Sequence, residues 1–162
     1  MIKIGIIIMI SSIVLIAQTD TEFETYLEDL SKDFEIEQVQ ADSANLSKAI
    51  LLDIREREEY EVSRIKNAIW VGYDDFDLSR VEDIDPDQEI IVYCSVGYRS
   101  SKVGSELIDA GYTNVKNLYG GIFLWANEGR PLFHNSAQTK RIHAYNRKWG
   151  RFITNPDVEK VY

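Results

Sequence analysis

The chain has 162 residues, which is the length of one ordinary domain and is enough to bury a hydrophobic core. Its 44% hydrophobic and 28% charged residues exclude the disordered, collagen-like and disulfide-rich classes. A formal net charge of −9 argues against nucleic acid as a partner, because binding to phosphates depends on basic residues. The single cysteine excludes an internal disulfide and a dithiol redox cycle.

The first 17 residues have the layout of a secretory signal. Lys3 precedes a mostly apolar run over residues 4–16, and Ala17 supplies a small residue for cleavage. A membrane-spanning helix needs about 20 apolar residues, so this run is short for one. We therefore expect export to the periplasm with cleavage near Ala17. Two alternatives stay open: residues 4–16 as an uncleaved membrane anchor, and a buried first strand.

After this segment, helix-like and strand-like segments alternate along the chain. Apolar residues at helical spacing predict a leading helix over residues 21–30, and further helices are predicted at 55–60, 100–110 and 122–128. Short apolar runs predict strands at 49–54, 68–71, 89–93 and 114–118. The alternation predicts an α/β fold with an open, mainly parallel β-sheet and helices on both faces. Such sheets place their ligands at the carboxyl ends of the strands.

The chemical centre of the sequence is the loop of residues 94–100, which leaves a predicted strand and enters a predicted helix. Gly97 lets the backbone turn tightly, Arg99 supplies a permanent positive charge, and Ser100 is available to cap the helix. Backbone N–H groups at a helix start form an anion cradle, and this environment favours a nucleophilic thiolate at Cys94. The alternative is an inert cysteine beside an arginine that forms a salt bridge elsewhere.

Several segments in order resemble the rhodanese-like sulfurtransferases over residues 39–131. Residues 51–56 with Glu59 and Tyr60 look like the first signature of that family, and Ile65 and Ala68 look like its second. The cysteine loop matches the family's cysteine-plus-arginine loop, and residues 118–122 with Trp125 look like its closing signature. The resemblance implies a rhodanese-like fold and a double-displacement reaction without a cofactor. Thiosulfate or another anionic donor gives sulfane sulfur to Cys94, and a thiol or cyanide-like acceptor removes it.

The resemblance also implies roles for individual residues. Cys94 is the nucleophile, Arg99 orients the donor, and Asp53 and Arg55 support the active-site face. The loop N–H groups surround the persulfide, and they belong to Ser95, Val96, Gly97, Tyr98 and Ser100. Asp53 has the plain alternative of capping the next helix.

The length of the loop separates sulfur chemistry from phosphate chemistry. Four residues lie between Cys94 and Arg99, whereas related phosphatases have five in that place. The shorter loop favours sulfur transfer over phosphate chemistry. A noncatalytic module that binds an anion or a protein partner through the same loop stays open as an alternative.

One segment departs from the family pattern. Where the family commonly has Gly-His-Ile-Pro-Gly-Ala, residues 63–68 read Ser-Arg-Ile-Lys-Asn-Ala, which adds two positive charges. Acceptor selectivity is expected in residues around the loop, such as Val96, Tyr98 and Arg64. The charged run at 55–59 is expected to be a solvated helix face.

Four segments are therefore expected: a signal or anchor at 1–17, a helical lead-in at 18–38, a rhodanese-like domain at 39–131 and a C-terminal extension at 132–162. The extension carries Tyr145, Trp149 and Phe152, which are expected to pack back on the domain. A basic-aromatic patch for a partner or a membrane surface is the alternative. His134 and His143, without nearby acidic or thiol ligands, make a poor metal site, and no metal is expected.

Overall fold

The computed structural model describes residues 3–44 and 46–162, and it describes side chains from Gln18 onward. Its α-helices are α1 (Lys3–Lys32), α2 (Arg57–Val62), α3 (Tyr98–Asp109), α4 (Gly121–Asn127) and α5 (Arg147–Gly150). Its strands are β1 (Glu37–Val39), β2 (Ile50–Asp53), β3 (Ile69–Trp70), β4 (Ile90–Tyr93), β5 (Val115–Leu118), β6 (Leu132–His134), β7 (Ala137–Thr139), β8 (Arg141–His143) and β9 (Glu159–Val161).

The main sheet has five strands in the order β1-β5-β4-β2-β3, and neighbouring strands are parallel. Side chains of the central strand β4 alternate between two apolar clusters. Ile91 and Tyr93 pack on the face covered by α1, α4 and the C-terminal extension, whereas Val92 packs on the face covered by α3. The predicted α/β fold, with an open parallel sheet and helices on both faces, is therefore confirmed.

The N-terminal half of the fold differs in detail from the sequence expectation. The helix α1 continues from the predicted signal across residue 17 and ends at Lys32, inside the predicted lead-in. Strand β1 was not predicted, because its three residues are too few and too polar to give an apolar run. The expected boundary between the lead-in and the rhodanese-like domain, between residues 38 and 39, lies inside this strand. Among the described residues, no helix is both long enough and apolar enough to cross a membrane.

The aromatic residues of the C-terminal extension, expected to pack on the domain, make their ring contacts with α1 of the lead-in. The rings of Phe152 and Phe23 stack with centroids 4.8 Å apart, and Trp149 meets Tyr26 edge-on at 5.2 Å. The β6–β7 hairpin and the parallel pair β8–β9 complete the extension. Because Phe23 and Phe152 are both buried, α1 and the extension share one apolar core with the sheet.

Candidate active site

Cys94 lies directly after β4, at the carboxyl end of the sheet where the sequence placed it. Its Sγ accepts a hydrogen bond from the backbone N–H of Gly97 at 3.1 Å, and the residue is 1% exposed. Gly97 is the N-cap of α3 with φ of 114°, a backbone conformation that glycine adopts without strain. The loop therefore turns back on its own cysteine and aims an amide at the sulfur.

The far side of the loop is fixed by buried polar side chains. Asn117 on β5 donates to the carbonyl of Gly97 at 3.3 Å and to the hydroxyl of Ser101 at 2.9 Å. Ser100 does not cap the helix as expected. Because α3 begins at Tyr98, the Ser100 hydroxyl lies inside the first turn and donates to the Gly97 carbonyl at 3.1 Å.

The start of α4 holds the carbonyl groups of the loop. The N–H of Ile122 donates to the Cys94 carbonyl at 2.9 Å, and that of Phe123 donates to the Ser95 carbonyl at 3.0 Å. Gly121 has φ of 56°, and a Cβ there would lie 2.4 Å from the Cys94 carbonyl oxygen. The glycine pair of the closing motif thus allows the close approach of α4 to the Cys94 loop.

Arg99 is bound by a buried carboxylate that the sequence analysis placed on a solvated surface. Its Nη1 and Nη2 donate to Glu59 Oε2 and Oε1 at 2.6 and 2.8 Å, and Nη2 also donates to Ser95 Oγ at 3.0 Å. Ser95 Oγ in turn donates to Glu59 Oε1 at 2.9 Å. The expectation for the charged run is therefore wrong at Glu59, which is 1% exposed.

The pair is charged despite its burial. Burial alone would raise the pKa of Glu59, but the hydrogen bonds from Arg99 outweigh it and hold that pKa below its usual range. Burial likewise opposes the charge on Arg99, and the bonds to Glu59 outweigh it and raise the pKa of Arg99. The positive charge of the loop is therefore balanced within the protein, and the predicted orientation of a donor by Arg99 stays a prediction.

Asp53 and Arg55 form a second buried ion pair beneath the carboxyl ends of β2 and β4. Arg55 Nε and Nη2 donate to the two Asp53 carboxylate oxygens at 2.9 and 2.6 Å, and Nη2 also donates to the Ser63 carbonyl at 2.6 Å. The Tyr93 hydroxyl donates to Asp53 Oδ2 at 2.6 Å. Arg55 is fully buried, so the surface expectation for the charged run is wrong there as well. The predicted supporting role of the pair is consistent with this network but stays a prediction.

Cys94 opens into a cleft of about 440 Å³. Tyr26 and Leu30 of α1 line one wall of the cleft. Tyr145 and Trp149 of the extension line another. Of the predicted cradle, Ser95, Val96 and Tyr98 line the cleft together with Arg99. Arg64 does not belong to this lining among the described residues; its backbone pairs with Phe133 of the extension instead.

The sequence model of the rhodanese-like domain family matches residues 35–128, which is more than half of the chain. The chain belongs to the rhodanese-like domain family. The cysteine loop, both buried ion pairs and all strands of the main sheet lie inside the matched residues.

Relatives of this rhodanese-like chain include proteins with sulfurtransferase names. A "Sulfurtransferase" of Allochromatium vinosum is 33% identical over 89 residues, which are 55% of this chain and 82% of that protein. The "Adenylyltransferase and sulfurtransferase UBA4" of Candida albicans is 33% identical over 91 residues, 52% of this chain and 21% of that protein. A second protein of the same name, from Meyerozyma guilliermondii, is covered over 25% of its length. The chain therefore spans a quarter or less of the length of these two relatives.

A solved structure gives the same fold. The thiosulfate sulfurtransferase of Pseudomonas aeruginosa superimposes with a TM-score of 0.59 at 25% identity, covering 81% of this chain and 26% of that one. A rhodanese-related protein of Thermoplasma volcanium gives a TM-score of 0.50 at 26% identity, covering 60% of this chain and 98% of that one.

Sequence reasoning missed the supports of the Cys94 loop and the walls of the cleft. Glu59 binds Arg99, Asn117 holds the loop, and Tyr26 lines the cleft. Glu59 is the N3 residue of a capping box whose N-cap is Glu56 in place of the usual Ser or Thr, and the Glu56 N–H donates to Glu59 Oε2 at 3.0 Å. Nothing local in the sequence brings Tyr26 to Cys94.

Proposed function

We propose that the protein is a sulfurtransferase that moves sulfane sulfur from thiosulfate or another persulfide donor to a thiophilic acceptor through a persulfide on Cys94. The observation that carries the proposal is the hydrogen bond from the Gly97 amide to Cys94 Sγ in the lining of a cleft. A preorganised amide at this sulfur stabilises negative charge there, which a thiolate and a persulfide both need. Membership of the family and the sulfurtransferase names of relatives support the same chemistry.

The loading half-reaction is a displacement at sulfur. The Cys94 thiolate attacks the outer sulfur of thiosulfate, the S–S bond of the donor breaks, and sulfite leaves with the bonding electron pair. The charges balance, because a singly charged Cys94 thiolate and doubly charged thiosulfate give a singly charged Cys94 persulfide and doubly charged sulfite. The helix start at α3 and the Gly97 amide would face the charge that develops on the transferred sulfur.

The unloading half-reaction restores the enzyme. An acceptor thiolate or cyanide attacks the outer persulfide sulfur, the S–S bond to Cys94 breaks, and the Cys94 thiolate is the leaving group. Because Gly97, Asn117 and α4 hold the loop in one conformation, the same amide would stabilise the thiolate that leaves. The cycle needs neither a second cysteine nor a cofactor.

The test is the intact mass of the protein after exposure to thiosulfate or a persulfide, followed by cyanide and detection of thiocyanate. We expect a gain of one sulfur atom that disappears as thiocyanate forms, and no gain in Cys94→Ser. Ser136→Ala, which changes an exposed residue that does not line the cleft, is the control variant, and circular dichroism confirms that both variants are folded. A folded protein with a free thiol that gains no sulfur from any donor would favour the noncatalytic binding module over the enzyme.

We further propose that the protein is exported, with residues 1–17 removed or retained as an anchor. The apolar run at 4–16 after Lys3 supports this proposal. Cleavage near Ala17 would keep the buried α1 side chains that the structure describes, Phe23, Leu27 and Leu30. Fractionation of cells with intact mass measurement tests it: a shortened periplasmic protein supports cleavage, a full-length membrane-bound protein supports the anchor, and a full-length cytoplasmic protein refutes export.

A further inference from the structure

The walls of the cleft beside Cys94 are built mainly by residues outside the family match at 35–128. Tyr26 and Leu30 come from α1, and Tyr145 and Trp149 come from the extension. These four side chains present three aromatic rings and one aliphatic group. At about 440 Å³ the cleft has the size of a small-molecule site and is much larger than a thiosulfate ion needs.

The aromatic wall is held in place rather than left to close on a ligand. Phe152 stacks on Phe23 behind the wall, and its carbonyl accepts a hydrogen bond from Asn127 Nδ2 at 2.7 Å. Arg151 pairs with Glu22 across the same junction at 2.6 Å. These contacts order both segments before binding. A ligand that enters the cleft therefore binds without a further loss of conformational entropy in these two segments.

The charges at the cleft disfavour a dianion. Both Nη atoms of Arg99 donate to Glu59, and the ring of Tyr145 lies 5.2 Å from the centre of the guanidinium group. Asp29 and Asp33 line the cleft as well, and of these Asp29 is paired with Lys32 at 3.0 Å. A thiolate at Cys94 adds another negative charge. A doubly charged donor would therefore enter a site whose one lining arginine is already neutralised.

We propose that the cleft selects an organic persulfide with an uncharged, apolar or aromatic body as the sulfur donor, in preference to thiosulfate. The inference rests on the proposed function, because it names the substrate class of the Cys94 reaction. Tyr26, Tyr145 and Trp149 determine the specificity by packing against the organic body of the donor, and the sulfane sulfur lies at Cys94.

The transfer from such a donor balances without an oxidant. The Cys94 thiolate attacks the outer sulfur of R–S–SH, the S–S bond of the donor breaks, and R–S⁻ leaves with the electron pair. The product is Cys94–S–SH, whose proton arrives with the transferred sulfur. An apolar acceptor thiolate returns the enzyme to its thiolate form by the same displacement in reverse.

The test compares three donors: thiosulfate, benzyl persulfide and cysteine persulfide. The rate of sulfur gain on Cys94 is measured by intact mass, and each rate is divided by the rate of the same donor with free N-acetylcysteine. We expect the normalised rate to be roughly tenfold higher for benzyl persulfide than for cysteine persulfide, and thiosulfate to be the slowest donor. The reason is that burial of one aromatic ring in the cleft strengthens binding of the donor by about that factor.

The variant Tyr145→Asn tests the wall directly. Tyr145 is 49% exposed and has φ of 61°, a conformation that asparagine also adopts, so the ring is removed without new backbone strain. Tyr162→Asn is the matched control, because Tyr162 is an exposed tyrosine of the same extension that does not line the cleft. We expect the benzyl-to-cysteine rate ratio to fall about threefold in Tyr145→Asn and to stay unchanged in Tyr162→Asn.

The outcomes separate the two proposals. Equal normalised rates for the two persulfides, or a thiosulfate rate as high as that of benzyl persulfide, would overturn the substrate class and leave the sulfurtransferase activity standing. A ratio that is the same in Tyr145→Asn and the wild type would also overturn it. Failure of every donor to load Cys94 in the folded protein would refute the sulfurtransferase function itself.

Discussion

Replacement of Glu59 by glutamine is expected to destabilise the protein although it keeps the size of the side chain. The Glu59 carboxylate accepts two hydrogen bonds from Arg99, one from Ser95 Oγ and one from the Glu56 N–H. A glutamine has one acceptor oxygen in place of two, and its NH₂ group would face donors. Arg99, whose side chain is 14% exposed, would lose its counter-charge inside the fold.

The magnitude follows from the burial of the pair. Removal of one partner from a buried ion pair costs about 3–5 kcal/mol, and the remaining exposure of Arg99 favours the lower end of that range. We therefore expect a loss of about 3 kcal/mol in the free energy of unfolding at neutral pH. For a chain of this length, that corresponds to a fall of roughly 6–12 °C in Tm.

The pH dependence gives a second signature. The pKa of Glu59 is lowered on folding, so its contribution is fully present above the pKa of the unfolded chain and is lost as pH falls through the folded pKa. Glutamine does not titrate. The difference in stability between the wild type and Glu59→Gln is therefore expected to be constant from pH 7 to about 5 and to shrink at lower pH.

Thermal unfolding followed by circular dichroism from pH 7 to pH 3 measures both effects. The matched control is Glu58→Gln, because Glu58 is the exposed neighbour on α2 and carries the same charge. If Glu59→Gln and Glu58→Gln melt within a degree of each other at pH 7, the ion pair contributes no net stability and the reasoning is refuted.

Two further predictions concern packing. Gly121→Ala places a Cβ 2.4 Å from the Cys94 carbonyl at φ of 56°, so we expect a loss of about 2–4 kcal/mol and of sulfur loading at Cys94. Urea unfolding and intact mass measure these losses, and Gly129→Ala, at φ of 71° with open space around it, isolates the clash from the φ strain. Phe152→Ala removes a ring that is 4% exposed, and we expect it to lower the free energy of unfolding in urea by about 3–5 kcal/mol. A loss below about 1 kcal/mol, the level of a surface substitution, would show that the extension is not part of the core.

The sequence by itself determined the alternation of elements and the position of the Cys94 thiol. Apolar runs such as that of β4 are recognisable because strands buried on both faces need apolar side chains at successive positions. A cysteine that follows such a run lies at the ligand-binding edge of a parallel sheet, so the sequence pattern is enough to place Cys94 there. Strand β1 was missed because an edge strand of three residues, of which only Val39 is buried, lacks that signal.

Only the tertiary structure decided what surrounds the thiol. Glu59 and Arg99 are 40 residues apart along the chain, and the pairing that buries Glu59 depends on how α2 is packed against the loop. Tyr26 and Trp149 lie far apart in sequence and meet only because α1 and the extension share a core. Local patterns report propensity and periodicity, whereas the charge and shape of the cleft arise from contacts between distant segments, and those contacts have no local signature.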